Sequence, residues 1–151
     1  MKKEHQVNLD NRNILITNGG KQAIHITIKG LTNPGQKWII FKPYWPSFKD
    51  IVELEHGLLK EIDYYNKTML INELNSDETV GMILVRPNNP DNNNYQDNLS
   101  EIINLVKKYN KYLLVDEVYL PLTSLKSVMN DNYKKIISIG SFSKAWGMTG
   151  W

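Results

Sequence analysis

The chain has 151 residues, 41% of them hydrophobic and 23% charged, which is the composition of one ordinary globular domain or of a piece of a larger one. Its formal charge of +2 comes from dispersed lysines, so the basic stripe that nucleic-acid binding requires is missing. It contains no cysteine, which excludes disulfides, thiolate metal sites and a cysteine nucleophile.

Short apolar runs alternate with amphipathic stretches along the chain. In chain order, the pattern predicts a strand at 14–17, a helix at 21–32, a strand at 38–41, a helix from Phe48 that is closed by Gly57, strands at 58–65 and 80–85, a helix at 99–106, and strands at 112–115 and 136–139. Strands that alternate with helices predict an α/β fold, a mostly parallel sheet with helices on both faces in three α/β/α layers.

Five sets of unusual polar or aromatic residues directly follow predicted strands. They are NGGK (18–21), PYW (43–45), PNNP (87–90), DE (116–117), and Ser141 with Lys144. Each set alone has an ordinary explanation as a turn, a packing residue, a loop, a helix cap or a surface lysine. In an open parallel sheet, however, ligands bind beyond the carboxyl ends of the strands. Because independent features would be scattered, their convergence on one edge predicts a single site.

One ligand would need all five sets. Two glycines that open a helix present free N–H groups to a phosphate, and a Trp offers a flat face to an aromatic ring. A buried Asp facing that ring keeps a pyridine nitrogen protonated, and a Lys in a polar pocket forms a Schiff base with an aldehyde. These requirements together describe pyridoxal 5′-phosphate.

Other cofactors fit the sequence less well. There is no GxGxxG for a nicotinamide or flavin site, and residues 19–22 lack the upstream glycine and the Ser/Thr of a phosphate-binding P-loop. His5, His25 and His56 do not have the spacing of metal ligands, so we expect no metal site.

Several motifs then resemble the class I/II aminotransferases, pyridoxal-phosphate enzymes of fold type I. The motifs are ITNGGKQA, NPGQKWIIFKPYWPSF, VRPNNP, LLVDEVY and SFSKAWGMTGW, and they run from about residue 14 to the end in the order and spacing of that family. The chain is similar to the front half of the family's large domain. The resemblance implies that residues 1–151 are a partial cofactor-binding domain, without the small domain and the N-terminal arm.

The resemblance also implies residue roles. Lys144 would hold the cofactor as a Schiff base and then move the α-proton of the substrate. Asp116 would pair with the pyridinium nitrogen, and Tyr119 and Asn89 would bind the phenolic oxygen of the ring. Trp45 would stack on the ring, and the phosphate would be bound by Gly19, Gly20, Lys21 and Ser141. The substrates would be an amino acid and a 2-oxo acid, and the full-length enzyme would be a homodimer.

Three departures from the family pattern stand out. Asp91 and Asn92 replace the usual Thr-Gly after Asn-Asn-Pro, which adds a carboxylate near the site, although Asn tolerates a positive φ. Gly20 replaces the more frequent Ala or Ser, which adds backbone freedom at the phosphate site. The family's phosphate-binding arginine would follow Trp151, so the sequence is expected to be a fragment.

The leading hypothesis is therefore an aminotransferase segment, and its activity alone is in doubt. The alternative is a non-catalytic remnant that acts, if at all, as an interaction module. The start, MKKEHQVNLDNRN, has no apolar stretch after its basic residues, and no apolar run reaches the length of a membrane span. We expect a soluble cytoplasmic protein that binds neither membrane nor nucleic acid.

Overall fold

The computed structural model describes residues 11–150. In this part of the chain the strands are β1 (Lys37–Lys42), β2 (Leu58–Asp63), β3 (Thr79–Val85), β4 (Tyr112–Asp116) and β5 (Ile136–Ile139). The helices are α1 (Gly19–Leu31), α2 (Ser47–Leu54), α3 (Lys67–Leu74), α4 (Leu99–Lys108) and α5 (Phe142–Ala145). No helix among these residues is both long enough and apolar enough to cross a membrane.

The five strands form one parallel sheet in the order β2-β1-β3-β4-β5. The register places Val85 beside Asp116 and Asp116 beside Ile139. The carboxyl ends of β3, β4 and β5 therefore meet at one edge, as the sequence predicted for the residues that follow them.

Two apolar clusters cover the two faces of this sheet. On one face, Ile24 and Ile28 of α1 and the buried side of α2 pack against Trp38 and Ile40. On the other face, α3 and α4 pack against the remaining buried strand side chains, which include Phe41. Alternate residues of a strand point to opposite faces, so β1 contributes to both clusters. The predicted three-layer α/β/α fold is confirmed.

The strand predicted at residues 14–17 is wrong. These residues form no strand, and Ile14, Leu15 and Ile16 are 54%, 73% and 90% exposed. A strand needs a neighbour to satisfy its N–H and C=O groups, and none of the described strands pairs with this segment. Instead Thr17 begins a turn, because its carbonyl accepts a hydrogen bond from the Gly19 N–H at 2.9 Å. An apolar run indicates that a segment is suited to a buried strand, but it does not show whether a neighbouring strand is present.

Helix α3 was missing from the prediction. It is short, and only Leu70 and Leu74 of it are buried, so its apolar periodicity is weak. The available signal was its cap, because the side chain of Asn66 accepts a hydrogen bond from the Met69 N–H at 3.0 Å. The strand predicted at 58–65 ends at Asp63, where this connection begins.

Candidate active site

A cavity of about 370 Å³ lies at the carboxyl edge of the sheet, where α1, β3, β4 and α5 meet. All nine predicted site residues border it: Gly19, Gly20, Lys21, Trp45, Asn89, Asp116, Tyr119, Ser141 and Lys144. They come from five separate segments, which the fold brings to one place. Their individual roles stay predictions.

The two glycines form the turn into α1. Gly19 has a φ of +79°, in the left-handed region that glycine adopts without strain. Gly20 has no positive φ, but a Cβ at this position would lie 3.2 Å from Cγ1 of Val118 and 3.7 Å from Cγ2 of Ile139. The glycine at position 20 therefore allows a close approach to the ends of β4 and β5.

Asp116 ends β4 and is buried, with 5% of its surface exposed. Desolvation raises the pKa of its carboxyl to about 6, because the interior disfavours the charged form. The Val118 N–H, which donates to Oδ1 at 3.1 Å, and the Lys144 ammonium act in the opposite direction, while the Glu117 carboxylate adds to the increase. A cation placed in the cavity would find an anion with little competing water.

Lys144 lies on the short helix α5, which Ser141 caps. The Ser141 hydroxyl accepts a hydrogen bond from the Ser143 N–H at 3.1 Å, and this fixes the first turn of the helix. The Lys144 Nζ lies 5.3 Å from the centroid of the Tyr119 ring. Both side chains face the same cavity, so an amine and a phenol hydroxyl are available to one ligand.

Trp45 forms part of the wall between α1 and α2. Its ring packs edge-on against Phe48, with the centroids 5.7 Å apart, and the Lys21 ammonium lies 4.8 Å from its centroid. The contact between the cation and the aromatic face is attractive and holds the Lys21 side chain at the cavity. The indole is thus supported by the core on one side and reached by a cation from the cavity.

Asn88 anchors the loop that carries Asn89. Its Nδ2 donates to the Pro43 carbonyl at 2.8 Å, which ties this loop to the segment preceding Trp45, and to Asp91 Oδ1 at 2.7 Å. The added carboxylate of Asp91 is therefore a partner of Asn88 and is not among the residues that border the cavity. Asn92 adopts a φ of +58°, so the turn accepts this residue in place of glycine.

A profile of the family described as "Aminotransferase class I and II" matches residues 1–151. The chain belongs to this aminotransferase family. The aspartate aminotransferase of Thermotoga maritima is 31% identical over an alignment of 151 residues, which covers 91% of this chain and 40% of that protein. A crystal structure of aspartate aminotransferase from the same organism has a TM-score of 0.85 at 28% identity and covers 95% of this chain and 42% of its own.

Two further proteins are similar to the chain, one in sequence and one in fold. A protein of Rickettsia conorii named probable aspartate/prephenate aminotransferase is 28% identical over 167 residues, which is 99% of this chain and 41% of that protein. The structure of cystalysin from Treponema denticola, which contains a pyridoxal 5′-phosphate cofactor, has a TM-score of 0.88 at 22% identity, and this likeness shows the fold alone. The chain spans about 40% of the length of the aminotransferase relatives it matches.

Other residues that border the cavity were not found from the sequence: Ile24, Phe48, Val85, Val118 and Ser143. Four of them are apolar, and nothing in an apolar run distinguishes a residue that faces a ligand from one that faces the core. Asn18, from the predicted set NGGK, borders the cavity as well. Among residues 11–150, no three His, Asp or Glu side chains are grouped so that they could hold a metal ion.

Proposed function

We propose that this chain forms the cofactor-binding part of an aminotransferase that transfers an amino group between an amino acid and a 2-oxo acid. The observation that carries the proposal is the position of Lys144, Asp116 and the glycine turn around one cavity. Membership of the aminotransferase family supports the reaction class. Because the chain spans about 40% of its relatives' length, the activity of the whole protein is part of the proposal.

The residues present fit pyridoxal 5′-phosphate. The cavity offers an amine at Lys144, a buried carboxyl at Asp116, an indole face at Trp45 and a helix N-terminus at Gly19 and Gly20. When bound, this cofactor supplies an aldehyde that condenses with amines and a protonated ring that accepts the electron pair released at the α-carbon. The donor set of the cavity matches each of these groups.

The binding residues act at three points of the cofactor. The first free N–H groups of α1 and the Ser141 hydroxyl would hold the phosphate, since a helix N-terminus carries unpaired donors and a partial positive charge. The Asp116 carboxylate would accept a hydrogen bond from the ring nitrogen and keep that nitrogen protonated. Trp45 would cover the ring and exclude water from that face.

The reacting residues lie at the other end of the cavity. Lys144 would attach the cofactor, and its Nζ would be the base that moves the proton of the substrate α-carbon. Asn89 and Tyr119 would donate hydrogen bonds to the ring oxygen. A base held within reach of the proton is the first requirement of this chemistry, and the position of Lys144 on a capped helix at the cavity supports that role.

Borohydride reduction tests the attachment point. The chain is incubated with pyridoxal 5′-phosphate, reduced, digested and mapped by mass spectrometry. We expect the label on Lys144, with the Lys144→Arg variant as the unlabelled control. A label found on other lysines and not on Lys144 would contradict the proposal, and no label above that of a denatured sample would favour the non-catalytic alternative.

We also propose that the complete enzyme is a homodimer located in the cytoplasm. The family resemblance supports both statements. Size-exclusion chromatography with light scattering on a full-length protein carrying this segment tests the first statement, and a monomeric mass that persists at micromolar concentration would contradict it.

A further inference from the structure

Two buried side chains of opposite charge lie next to the residues of the cavity. Arg86 directly follows β3 and is 1% exposed, and Glu117 directly follows Asp116 and is 3% exposed. Arg86 Nη1 lies 3.3 Å from Glu117 Oε1. Burial lowers the pKa of the Arg86 guanidinium, and the Glu117 carboxylate opposes that change. Charged side chains are rarely buried unless they are paired, and these two are paired with each other.

The Glu117 carboxylate is held from four directions. Besides Arg86, its donors are the Ser127 hydroxyl at 2.5 Å, the Ser138 hydroxyl at 2.7 Å and the Val128 N–H at 3.0 Å. Ser138 belongs to β5, and the other two precede that strand in the chain. The carboxylate therefore joins the end of β4 to β5 and to the segment between the two strands.

Arg86 holds the loop that follows β3. Its Nε donates to the Asn94 carbonyl at 3.0 Å, and its terminal nitrogens donate to the Lys126 carbonyl at 2.8 Å and to Gln96 Oε1 at 3.3 Å. The loop between Arg86 and Asn94 is thus closed at its base by one side chain. Asn89, which borders the cavity, lies inside this closed loop.

We propose that the Arg86–Glu117 pair is a positioning device for the cofactor site, which fixes the turn carrying Asp116 and Tyr119 and the loop carrying Asn89. The inference rests on the proposed function. Glu117 lies between Asp116 and Tyr119 in the chain, and the four donors that hold its carboxylate restrain the backbone of this turn. Separately from the side-chain pair, the backbone N–H of Arg86 donates to the Asp116 carbonyl at 2.8 Å, which joins the start of the loop to the end of β4.

The pair also has an electrostatic consequence at Asp116. Two charged groups act on this carboxyl from the neighbouring elements: the Glu117 carboxylate raises its pKa, and the Lys144 ammonium lowers it. Glu117→Gln removes the first influence and leaves the Arg86 charge without its partner. Both changes favour the anionic form of Asp116, so the acid limb of any pH profile that depends on this carboxyl moves to lower pH.

Pyridoxal 5′-phosphate titrations of the 151-residue chain and its variants test the inference. Glu117→Gln breaks the pair, and Ser138→Ala removes one donor to Glu117 without touching the cavity. The matched control is Glu73→Gln, because Glu73 pairs with Lys60 at 3.1 Å near the amino end of β3, away from the cavity. Urea unfolding of each variant, without cofactor, measures the cost to the fold separately.

We expect the dissociation constant of the cofactor to rise about tenfold in Glu117→Gln, the loss of about one hydrogen bond, to rise less in Ser138→Ala and to be unchanged in the control. The acid limb of the cofactor's absorbance-pH profile moves to lower pH in Glu117→Gln only. If Glu117→Gln lowers the stability but leaves the dissociation constant and the pH profile unchanged, the inference is overturned. If Glu117→Gln does not fold, an unchanged dissociation constant in Ser138→Ala overturns it. A wild-type chain that binds no cofactor overturns the proposed function itself.

Discussion

Asp116 holds a proton more tightly in the folded chain than in the unfolded one, because burial raises its pKa from 3.8 to about 6. A folded state that binds more protons loses stability as the pH rises, so the free energy of unfolding falls by about 2 kcal/mol between pH 4 and pH 6 through this group alone. Asp116→Asn removes this contribution. Urea unfolding of both proteins from pH 4 to pH 7 should therefore show that the free energy of unfolding of the variant increases relative to that of the wild type as the pH rises. A difference that does not change with pH would contradict the prediction.

The same substitution separates charge from shape once the cofactor is bound. Asn keeps the size of Asp116 but cannot stabilise a protonated ring nitrogen, an interaction of about 4 kcal/mol at 4 Å and an effective dielectric constant near 20. In a full-length aminotransferase carrying this segment, we expect turnover to fall about a thousandfold while the cofactor still attaches to Lys144. Stopped-flow turnover and borohydride labelling measure the two effects, and near-normal turnover would rule out the role of Asp116.

At the scale of the element, β3 and β4 approach each other more closely than side chains would allow. A Cβ at Gly81 would lie 2.4 Å from the Tyr112 carbonyl oxygen on the neighbouring strand. We expect Gly81→Ala to lower the free energy of unfolding by about 1–3 kcal/mol, since the overlap forces the strands apart. Because β3 and β4 lead to Asn89 and Asp116, cofactor binding should weaken as well.

Gly30 provides the matched control for this substitution. It lies in α1 and an added Cβ would meet no atom within 4 Å. Gly30→Ala should leave the stability unchanged or raise it by about 0.5–1 kcal/mol, because alanine restricts the unfolded chain and favours helix. Equal destabilisation by both substitutions in urea unfolding would show that the close approach at Gly81 is not the cause.

At the scale of the whole molecule, the cavity lacks the strongest anion-binding side chain. The chain has two arginines, Arg12 and Arg86, and neither borders the cavity. A charge-assisted hydrogen bond is worth about 1.5–3 kcal/mol, and oriented catalysis depends on such clamps for the substrate carboxylate. Since the chain spans about 40% of its relatives' length, we expect residues 1–151 alone to bind pyridoxal 5′-phosphate weakly and to show no measurable transamination.

A coupled assay with several amino acid and 2-oxo acid pairs measures this directly. The aspartate aminotransferase of Thermotoga maritima serves as the positive control, because it is a relative of full length. Transamination by the 151-residue chain at the rate of that enzyme would show that the described cavity is sufficient by itself.

The sequence by itself determined the layer architecture and nine of the residues that border the cavity. Apolar periodicity is a local property, and a parallel sheet places every strand's carboxyl end at the same edge, so motifs that follow strands could be assigned to one site. Lys144, Asp116 and Asn89 were placed together in this way, whereas Gly19 was assigned to the same edge through a strand at 14–17 that the fold does not form. The register of β3, β4 and β5 brings the same residues to one cavity.

The tertiary structure alone decided which segments found partners. Residues 14–17 are as apolar as a buried strand but pair with no described strand, and strand formation depends on a neighbour that a local pattern does not reveal. The Arg86–Glu117 pair was equally hidden, because its residues are 31 positions apart and meet only across adjacent strands. Contacts between distant segments depend on the packing of the whole sheet, and these contacts determine the positions of the residues that border the cavity.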